Sequence, residues 1–217
     1  MPETNPSDTH PQGLCHYTSL ANLVSILETG ALILSDPARW EDRNDAASVE
    51  AYRRKTGAAQ VRVLSLASGD EQIHLWFAYA RKEYGAYLRF NTSALLAALE
   101  RIPGLVCGPL RYTPREDISA AELRAAGPEA LPFIKRRPYE AEQEYRVLWT
   151  GGPDESPPEI PIAGLLDRVT LAPGMAAPFG PALAEMLAAR YTLKVQRSRL
   201  LNSPDWISLF NNLGNAD

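Results

Sequence analysis

Short hydrophobic runs that alternate with polar positions dominate this chain, and helical spacing is brief wherever it occurs. Residues 20–29 repeat apolar side chains every three or four positions, which predicts a helix that Gly30 ends. Strands are predicted at 14–18, 31–35, 60–68, 86–91, 105–113, 144–149, 165–173 and 193–201. Further helices are predicted at 48–56, 72–82, 93–102, 117–136 and 180–191.

The order of these elements favours an α+β fold over a doubly wound parallel sheet. The helical patterns are short and irregular, and several strands follow one another closely enough to pair antiparallel. Residues 14–201 are predicted to form a single domain, because no repeat or long linker interrupts them. Residues 1–13 are expected to be a disordered N-terminal tail, and residues 202–217 a C-terminal tail. The polar segment 38–48 is expected to be a turn-rich loop.

Composition narrows the class of protein. The 217 residues have a net charge of −4, with 45% hydrophobic and 22% charged residues, as in an ordinary soluble protein. This balance argues against a basic nucleic-acid platform, although the basic patch at 134–137 leaves local binding open. No apolar run is long enough for a membrane span, and the N-terminus lacks the pattern expected of a secretory signal. Cys15 and Cys107 are expected to be buried thiols in a reducing cytoplasm.

Three local patterns suggest chemistry, and each also has an ordinary structural interpretation. His16 and Tyr17 end the first predicted strand, where a half-buried histidine at a strand edge is the simpler interpretation. The polar loop around Asn44 has two interpretations. Its side-chain oxygens bind a ligand, or they only form hydrogen bonds within the turns of the loop. Trp76 and Tyr79 are predicted to lie on one face of a helix, where they either pack together in the core or form a surface on which a ligand stacks. Neither GxGxxG nor GxxxxGK[ST] is present, so a nucleotide is not expected to bind at a Rossmann or P-loop site.

The segment 138–149 places several acids at the beginning of a predicted strand. Glu144 is the last acid before the hydrophobic run, so backbone pairing would fix its position better than a loop would. Glu142 lies on the same side if the extended conformation persists, and like charges that close are expected to raise one pKa. Glu140 is expected to face solvent. The alternative is that all of these acids are solvated at a strand entrance.

Taken in order, these segments resemble a widespread, uncharacterised bacterial domain family. Its pattern begins with a strand of the form hYTs and continues through ND, a Trp and a Tyr three residues apart, and E.EyR. The match extends from about residue 14 to residue 201. The matching residues are Tyr17, Thr18, Gly30, Ser35, Asn44, Asp45, Ser65, Trp76, Tyr79, Gly85, Phe90, Lys135, Glu142, Glu144, Tyr145, Arg146 and Ser198.

That family is in turn similar to the His-Tyr-Glu branch of the ADP-ribosyltransferase superfamily. His16, Tyr79 and Glu144 stand in the order of the three residues that name the branch. The resemblance implies that His16 binds the adenine-side ribose of NAD and that Tyr79 stacks on nicotinamide. It also implies that Glu144 bonds the 2′-hydroxyl of the nicotinamide ribose, that Glu142 activates the acceptor, and that the sheet is split, with helices between its halves.

The implied site extends beyond these residues. NAD is expected as a co-substrate, and Arg146, Arg43 and Lys135 are expected to contact its pyrophosphate. Glu144, Glu142 and Tyr79 are expected to be catalytic, and no metal site is expected. The expected cofactor-binding residues are His16, Tyr17, Thr18, Ser35, Asn44, Ser65, Trp76 and Arg146.

The function that the resemblance implies is NAD-dependent mono-ADP-ribosyl transfer, or NAD hydrolysis, by a cytoplasmic toxin or phage-defence effector. The acceptor, a protein or a nucleic acid, stays open, and no membrane partner is expected. One alternative is a catalytically silent domain of the same fold that binds a nucleotide or a protein, which the unusual loop sequence NDAAS favours. Another is a nuclease-like or metal-dependent enzyme that uses Glu41, Asp42, Asp45, Glu142 and Glu144.

Overall fold

The fold combines short helices with strands that pair in both directions. The computed structural model describes residues 11–213, so most of the predicted N-terminal tail and residues 214–217 lie outside the described residues. Antiparallel and parallel strand pairs both occur. The α+β class predicted from the sequence is therefore confirmed, with a sheet of mixed strand direction.

The regular elements are numbered in chain order. The strands are β1 (Leu14–Ser19), β2 (Ala31–Leu32), β3 (Gln60–Ser68), β4 (Gly85–Phe90), β5 (Leu105–Pro109), β6 (Arg111–Thr113), β7 (Ile134–Arg136), β8 (Glu144–Gly151), β9 (Ile160–Pro161), β10 (Leu166–Leu171) and β11 (Val195–Arg197). The α-helices are α1 (Leu20–Thr29), α2 (Arg43–Thr56), α3 (Ile73–Ala78), α4 (Thr92–Glu100), α5 (Ala120–Ala126), α6 (Phe179–Tyr191) and α7 (Pro204–Leu213). Among the residues described, no helix combines the length and apolar character that crossing a membrane would need.

The chain divides into two compact units, each assembled from three segments. The first unit contains the chain up to His16, then Gly30–Asp70 and Phe90–Leu165. The second unit contains Tyr17–Thr29, Glu71–Arg89 and the chain from Leu166 onward.

In the first unit, β3 is an inner strand of an antiparallel group. The strand order is β1-β3-β8-β5. The pairing of β3 with β8 runs from Gln60 opposite Gly151 to Ala67 opposite Glu144. β1 pairs with the last residues of β3, where Cys15 lies opposite Ala67. The beginning of β8 therefore lies beside the end of β3.

The apolar core of the first unit lies between this group of strands, α2 and the 3-10 helix Pro128–Phe133. Each residue in the cluster is less than a tenth exposed, and burial of such a side chain stabilises the fold by about 1.5–3 kcal/mol. The residues that meet there are Val49, Tyr52, Val61, Val63, Leu131 and Leu148. α2 is thereby held against β3 and β8.

The second unit contains the strand order β11-β10-β4, in which β10 and β11 run parallel. An aromatic cluster fills part of its interior. The ring of Tyr17 makes edge contacts with Trp76 and Tyr87, at centroid distances of 5.4 and 5.0 Å. The indole N–H of Trp76 donates to Glu71, which satisfies the polar atom of a ring that is otherwise enclosed.

α2 begins at Arg43, inside the segment 38–48 that the sequence predicts to be a loop. The carboxylate of Asp42 accepts hydrogen bonds from the backbone N–H groups of Asn44 and Asp45, which is the N-cap arrangement. The loop prediction is therefore wrong over the second half of that segment, because the polar residues there start a helix.

Further predictions of secondary structure differ from the structure, and three of them concern the helix at 117–136, the strand at 31–35 and the C-terminal tail. Residues 117–136 do not form one helix, because Gly127 adopts a φ of 79° after α5, and a 3-10 helix and β7 follow. The predicted strand 31–35 shortens to β2, and Ser35 only forms an isolated bridge with Val63. The predicted C-terminal tail contains α7.

Candidate functional site

Charged side chains from α2, β7, the 3-10 helix Arg137–Glu142 and β8 meet at the beginning of β8. Three carboxylates and two cations give this cluster a net charge of −1. Charged groups in the interior are stable only when they are paired and hydrogen-bonded, so the cluster must be considered as a unit. Its members, called the ionic cluster below, are Asp45, Lys135, Glu142, Glu144 and Arg146.

A left-handed residue joins the two glutamates of the ionic cluster. Arg137–Glu142 forms a 3-10 helix, Gln143 follows with a φ of 45°, and β8 begins at Glu144. The predicted extended path between the glutamates is therefore wrong, although the two do share a site. The carbonyl of Gln143 accepts from the N–H of Ser68 at 2.9 Å, which ties this turn to the end of β3.

Lys135 lies among the three carboxylates of the ionic cluster. Its Nζ atom is 2.6 Å from Glu142 Oε2, 3.0 Å from Glu144 Oε2 and 3.6 Å from Asp45 Oδ2. Tyr139 places its ring centroid 5.0 Å from the same nitrogen. The sequence predicts that Lys135 contacts pyrophosphate, whereas in the structure its ammonium group contacts carboxylates of the protein itself.

Arg146 connects Glu144 to Asp45. Its Nε donates to Glu144 Oε1 at 2.8 Å, and its two terminal nitrogens donate to the two oxygens of Asp45 at 3.0 and 2.7 Å. Nη1 also donates to the carbonyl of Pro132, and the guanidinium lies 5.3 Å from the ring centroid of Trp40. The sequence predicts a pyrophosphate contact for Arg146, but its side chain is 0% exposed because α2 covers it. Any effect of Arg146 on a ligand therefore passes through Glu144.

The cations keep Glu144 ionised. Burial alone would raise the pKa of this carboxyl, but the charges of Arg146 and Lys135 outweigh it. Hydrogen bonds from Arg146 and Ser65 act in the same direction, and the pKa of Glu144 lies below its ordinary value. The expectation that neighbouring acids raise one pKa is wrong for Glu144, because two cations contact it directly.

Ser65 lies between Glu144 and solvent. Its hydroxyl donates to Glu144 Oε1 at 2.6 Å, and its side chain is exposed although β3 is an inner strand. In these contacts Oε1 accepts two hydrogen bonds, from Ser65 and Arg146, and Oε2 accepts one, from Lys135. Because each carboxylate oxygen has two lone pairs, Oε2 retains one acceptor position.

The segment that pairs with β3 differs on the two sides of Ser65, and His16 contacts β3 at Ser65 itself. Ala67 pairs with β1, whereas Val63 forms a bridge with Ser35. Between these two positions the carbonyl of Ser65 bonds to His16 Nδ1 at 3.0 Å. Burial lowers the pKa of His16, and this hydrogen bond offsets the effect only in part. The imidazole is therefore neutral, with the proton on Nδ1 and an acceptor at Nε2.

The predicted site residues of the second unit divide into interior and exposed positions. Tyr17, Thr18 and Trp76 are 7%, 4% and 1% exposed, and the rings of Tyr17 and Trp76 pack edge to face. Their predicted contacts with a cofactor would require that packing to open. Tyr79 follows α3 and is 47% exposed, so its ring is accessible.

Ser35 and Asn44, both predicted to bind the cofactor, make local contacts in the first unit. The hydroxyl of Ser35 donates to the carbonyl of Val63 and accepts from the indole N–H of Trp40. Asn44 is exposed, and its side-chain amide donates to Asp42. The structure therefore brings together His16, Ser65, Glu142, Glu144 and Arg146 from the predicted set. Glu140 is exposed, as predicted.

Asp45 is the site residue whose role the sequence did not reveal. Its position is nevertheless visible in the helical spacing, because Val49 and Tyr52 follow it by one and two turns on the buried face of α2. An acid on that face requires a cationic partner. The register that supplies Arg146 as this partner could not be derived from the sequence.

Two further features bear on alternative sites. Within residues 11–213, no group of three His, Cys, Asp or Glu side chains is placed to hold a metal ion. A separate groove of about 600 Å³ runs along α2; Arg43, another predicted pyrophosphate contact, lines it with Arg53, Arg54 and Arg62. Neither Ser65 nor Glu144 lines this groove.

No family model, no curated protein and no solved structure matches the chain. A functional conclusion therefore depends on the geometry of the residues themselves.

Proposed function

We propose that this protein is an NAD-dependent mono-ADP-ribosyltransferase, or an NAD glycohydrolase, with an ADP-ribosyltransferase-like fold. The observation that supports this proposal most strongly is that His16 and Glu144 both bond to Ser65. His16 Nδ1 contacts the Ser65 carbonyl at 3.0 Å, and Glu144 Oε1 accepts from its hydroxyl at 2.6 Å. The resemblance selects His16 and Glu144 independently of this contact, from distant parts of the chain.

The path of β3 leaves an exposed position at which a ligand could reach Glu144. β3 pairs with β1 at Ala67 and with Ser35 at Val63, and the exposed Ser65 lies between these two partners. A ligand at that position would meet the acceptor atom Nε2 of His16 and the free acceptor position of Glu144.

The ionised state of Glu144 suits the cleavage of a nicotinamide–ribose bond. That bond breaks through a state with positive charge on the ribose, and the bonding electron pair leaves with nicotinamide. A fixed carboxylate that accepts a hydrogen bond from the 2′-hydroxyl stabilises this charge, more strongly in a buried site than in water. Glu144 has a lowered pKa and one open acceptor position, as this role requires.

The remaining residues have distinct proposed roles. Arg146, Lys135 and Asp45 position Glu144 and do not contact the substrate. Glu142, whose side chain is 12% exposed, accepts the proton of the nucleophile that adds to the ribose, which is water or an acceptor group. Stacking on nicotinamide by Tyr79, a residue of the second unit, is what the resemblance implies.

The test is release of nicotinamide from NAD, followed by NMR, for wild type and Glu144→Gln. Loss of an electrostatic stabiliser of the transition state is expected to lower kcat by about 100- to 1,000-fold. Glu140→Gln is the matched control, because Glu140 lies in the same segment and its side chain is 64% exposed. It is expected to keep full turnover. Free ADP-ribose among the products indicates hydrolysis, and ADP-ribose attached to an added macromolecule indicates transfer.

If Glu144→Gln does not fold, a second variant still tests the proposal. Ser65→Ala removes the hydroxyl bond to Glu144 from an exposed position, and it is expected to lower turnover by about tenfold while leaving the fold intact. Wild-type protein that neither releases nicotinamide nor changes its NMR spectrum with millimolar NAD would contradict the proposal.

A catalytically silent domain that binds a nucleotide or a protein is the second candidate. The hydrogen bonds that Glu144 already accepts favour this silent domain. Ser65, Arg146 and Lys135 occupy three of the four acceptor positions of its carboxylate. This candidate predicts NAD-induced spectral changes without nicotinamide release, and Glu144→Gln would then alter the NAD affinity little.

A further inference from the structure

Residues 77–84, from the last turn of α3 to the start of β4, expose three aromatic rings and two cations and are called the aromatic turn below. Phe77, Tyr79 and Tyr84 are 53%, 47% and 63% exposed. Arg81 and Lys82 are exposed between them. Large aromatic side chains are usually more deeply buried than this, so the rings of Phe77 and Tyr84 are accessible to a ligand.

The aromatic turn is tightly built. Arg81 and Lys82 have φ values of 48° and 54°, in the left-handed region that costs a residue with a side chain about 1–2 kcal/mol. Ala80 is 0% exposed, and a Cβ atom at Gly85 would lie 1.8 Å from the Ala80 carbonyl oxygen. Residues are held in this conformation only where their surroundings determine it, so the turn presents its rings from a fixed backbone.

A cation and an aromatic face are already adjacent in this segment. Lys82 Nζ lies 5.3 Å from the ring centroid of Phe77, within the range of a cation–π contact. A nucleotide requires the same two elements side by side, a flat surface for its base and a cation for its phosphate.

We propose that the aromatic turn binds single-stranded nucleic acid, with Phe77 and Tyr84 stacking on bases and Arg81 and Lys82 contacting phosphates. Unpaired strands are the partner because bases in a duplex cannot stack on protein rings. Glu83 lies in the same segment and the chain has a net charge of −4, so stacking contributes more to the affinity than phosphate contacts do.

The test uses the full chain and a fluorescein-labelled oligothymidylate, with binding followed by fluorescence anisotropy in the absence of NAD. Each of Phe77→Ala and Tyr84→Ala is expected to weaken binding by about 5- to 150-fold, the range for loss of one base–aromatic stack. Tyr84→Phe keeps the ring and is expected to bind like wild type. Phe179→Ala is the matched control, because Phe179 belongs to the second unit and is 49% exposed.

The phosphate contacts are tested by salt dependence. Asparagine tolerates the left-handed conformation, so Arg81→Asn with Lys82→Asn removes both charges without disturbing the turn. The slope of log K against log salt concentration is expected to fall in magnitude by about 1.4, at roughly 0.7 for each phosphate contact on a single strand. Thermal unfolding of every variant separates loss of binding from loss of fold.

Four results would overturn the proposal: no anisotropy change with wild type, unchanged affinity in both alanine variants, equal weakening by Phe179→Ala, or equal binding of a duplex. A fifth result, displacement of the oligonucleotide by polyglutamate at equal charge concentration, would identify an acidic protein segment as the partner and would also overturn the proposal. Because NAD takes no part, these results are independent of whether the protein consumes NAD.

Discussion

Asp45 and Arg146, separated by 101 residues, are joined by two hydrogen bonds in a site that is closed to solvent. The two guanidinium nitrogens meet the two carboxylate oxygens in the paired geometry that makes arginine–carboxylate contacts strong. The remaining nitrogen of the guanidinium holds Glu144. The orientation of Glu144, on strand β8, therefore depends on Asp45 of helix α2.

Asp45→Ala is expected to lower the free energy of unfolding by about 3–5 kcal/mol, because it leaves a buried guanidinium with one carboxylate fewer. Urea unfolding measures the change. Glu50→Ala on the same helix is the control, and it should have little effect because its ion pair with Arg53 is partly exposed to solvent. The double replacement Asp45→Leu and Arg146→Met removes both charges and should recover part of the loss. An Asp45→Ala variant as stable as the control would show that the pair contributes nothing.

The stability of the protein is expected to fall on the acid side because of Glu144. Its pKa in the folded protein lies below 4.5, so between the two values the unfolded chain binds more protons. The contribution of Glu144 is complete above pH 4.5 and is lost as the pH falls through the folded value. Urea midpoints measured from neutral pH into this range should fall less steeply for Glu144→Gln than for wild type. Glu140→Gln should follow wild type, and parallel curves for all three proteins would contradict the assignment.

Asp42→Ala is expected to destabilise the protein by about 1 kcal/mol, the usual cost of losing an N-cap. The carboxylate of Asp42 accepts from the backbone of Asn44 and Asp45 in the first turn of α2. Asp42→Asn keeps a capping oxygen and should be close to neutral in thermal unfolding. Equal losses in the two variants would mean that charge, rather than capping, explains the effect.

Gly85→Ala is expected to destabilise the protein by about 3 kcal/mol or to prevent folding, because the new methyl group would overlap the Ala80 carbonyl. Gly164→Ala is the comparison, since its φ is 73° and no atom lies within 4 Å of the new Cβ. That variant should lose only about 1 kcal/mol, the cost of a left-handed alanine. Similar melting temperatures for the two variants would show that the contact with Ala80 relaxes freely.

Local pattern predicted most of the strands and helices, because alternating and helical spacing depend only on neighbouring residues. The first turn of α2 escaped prediction because Asp and Asn residues favour loops by propensity, and here Asp42 uses that preference to begin a helix. The break within 117–136 was missed for a related reason, because Gly127 and the prolines around it allow several turn conformations.

The ionic cluster could be predicted only in part. Glu144 was found because an acid directly before a hydrophobic strand is placed by backbone pairing. The ion pairs that Lys135 makes with Glu144 and that Asp45 makes with Arg146 were not predicted, because a single charged residue gives no local sign of whether it is buried or solvated. Their roles depend on the register of β8 and on the packing of α2, and both are set by contacts between distant segments.

The left-handed turn at Gln143 has a consequence for how this chain can vary. Glu142 and Glu144 both contact the ammonium of Lys135, although Glu142 ends a 3-10 helix and Glu144 begins a strand. Gln143 is the single residue at which the backbone changes from the first conformation to the second. Glycine or asparagine at position 143 would keep that conversion. An insertion or deletion there would displace β8 by one residue against β3, which turns every side chain of the strand to the opposite face. Substitution is therefore tolerable at this position, whereas a change of length is not.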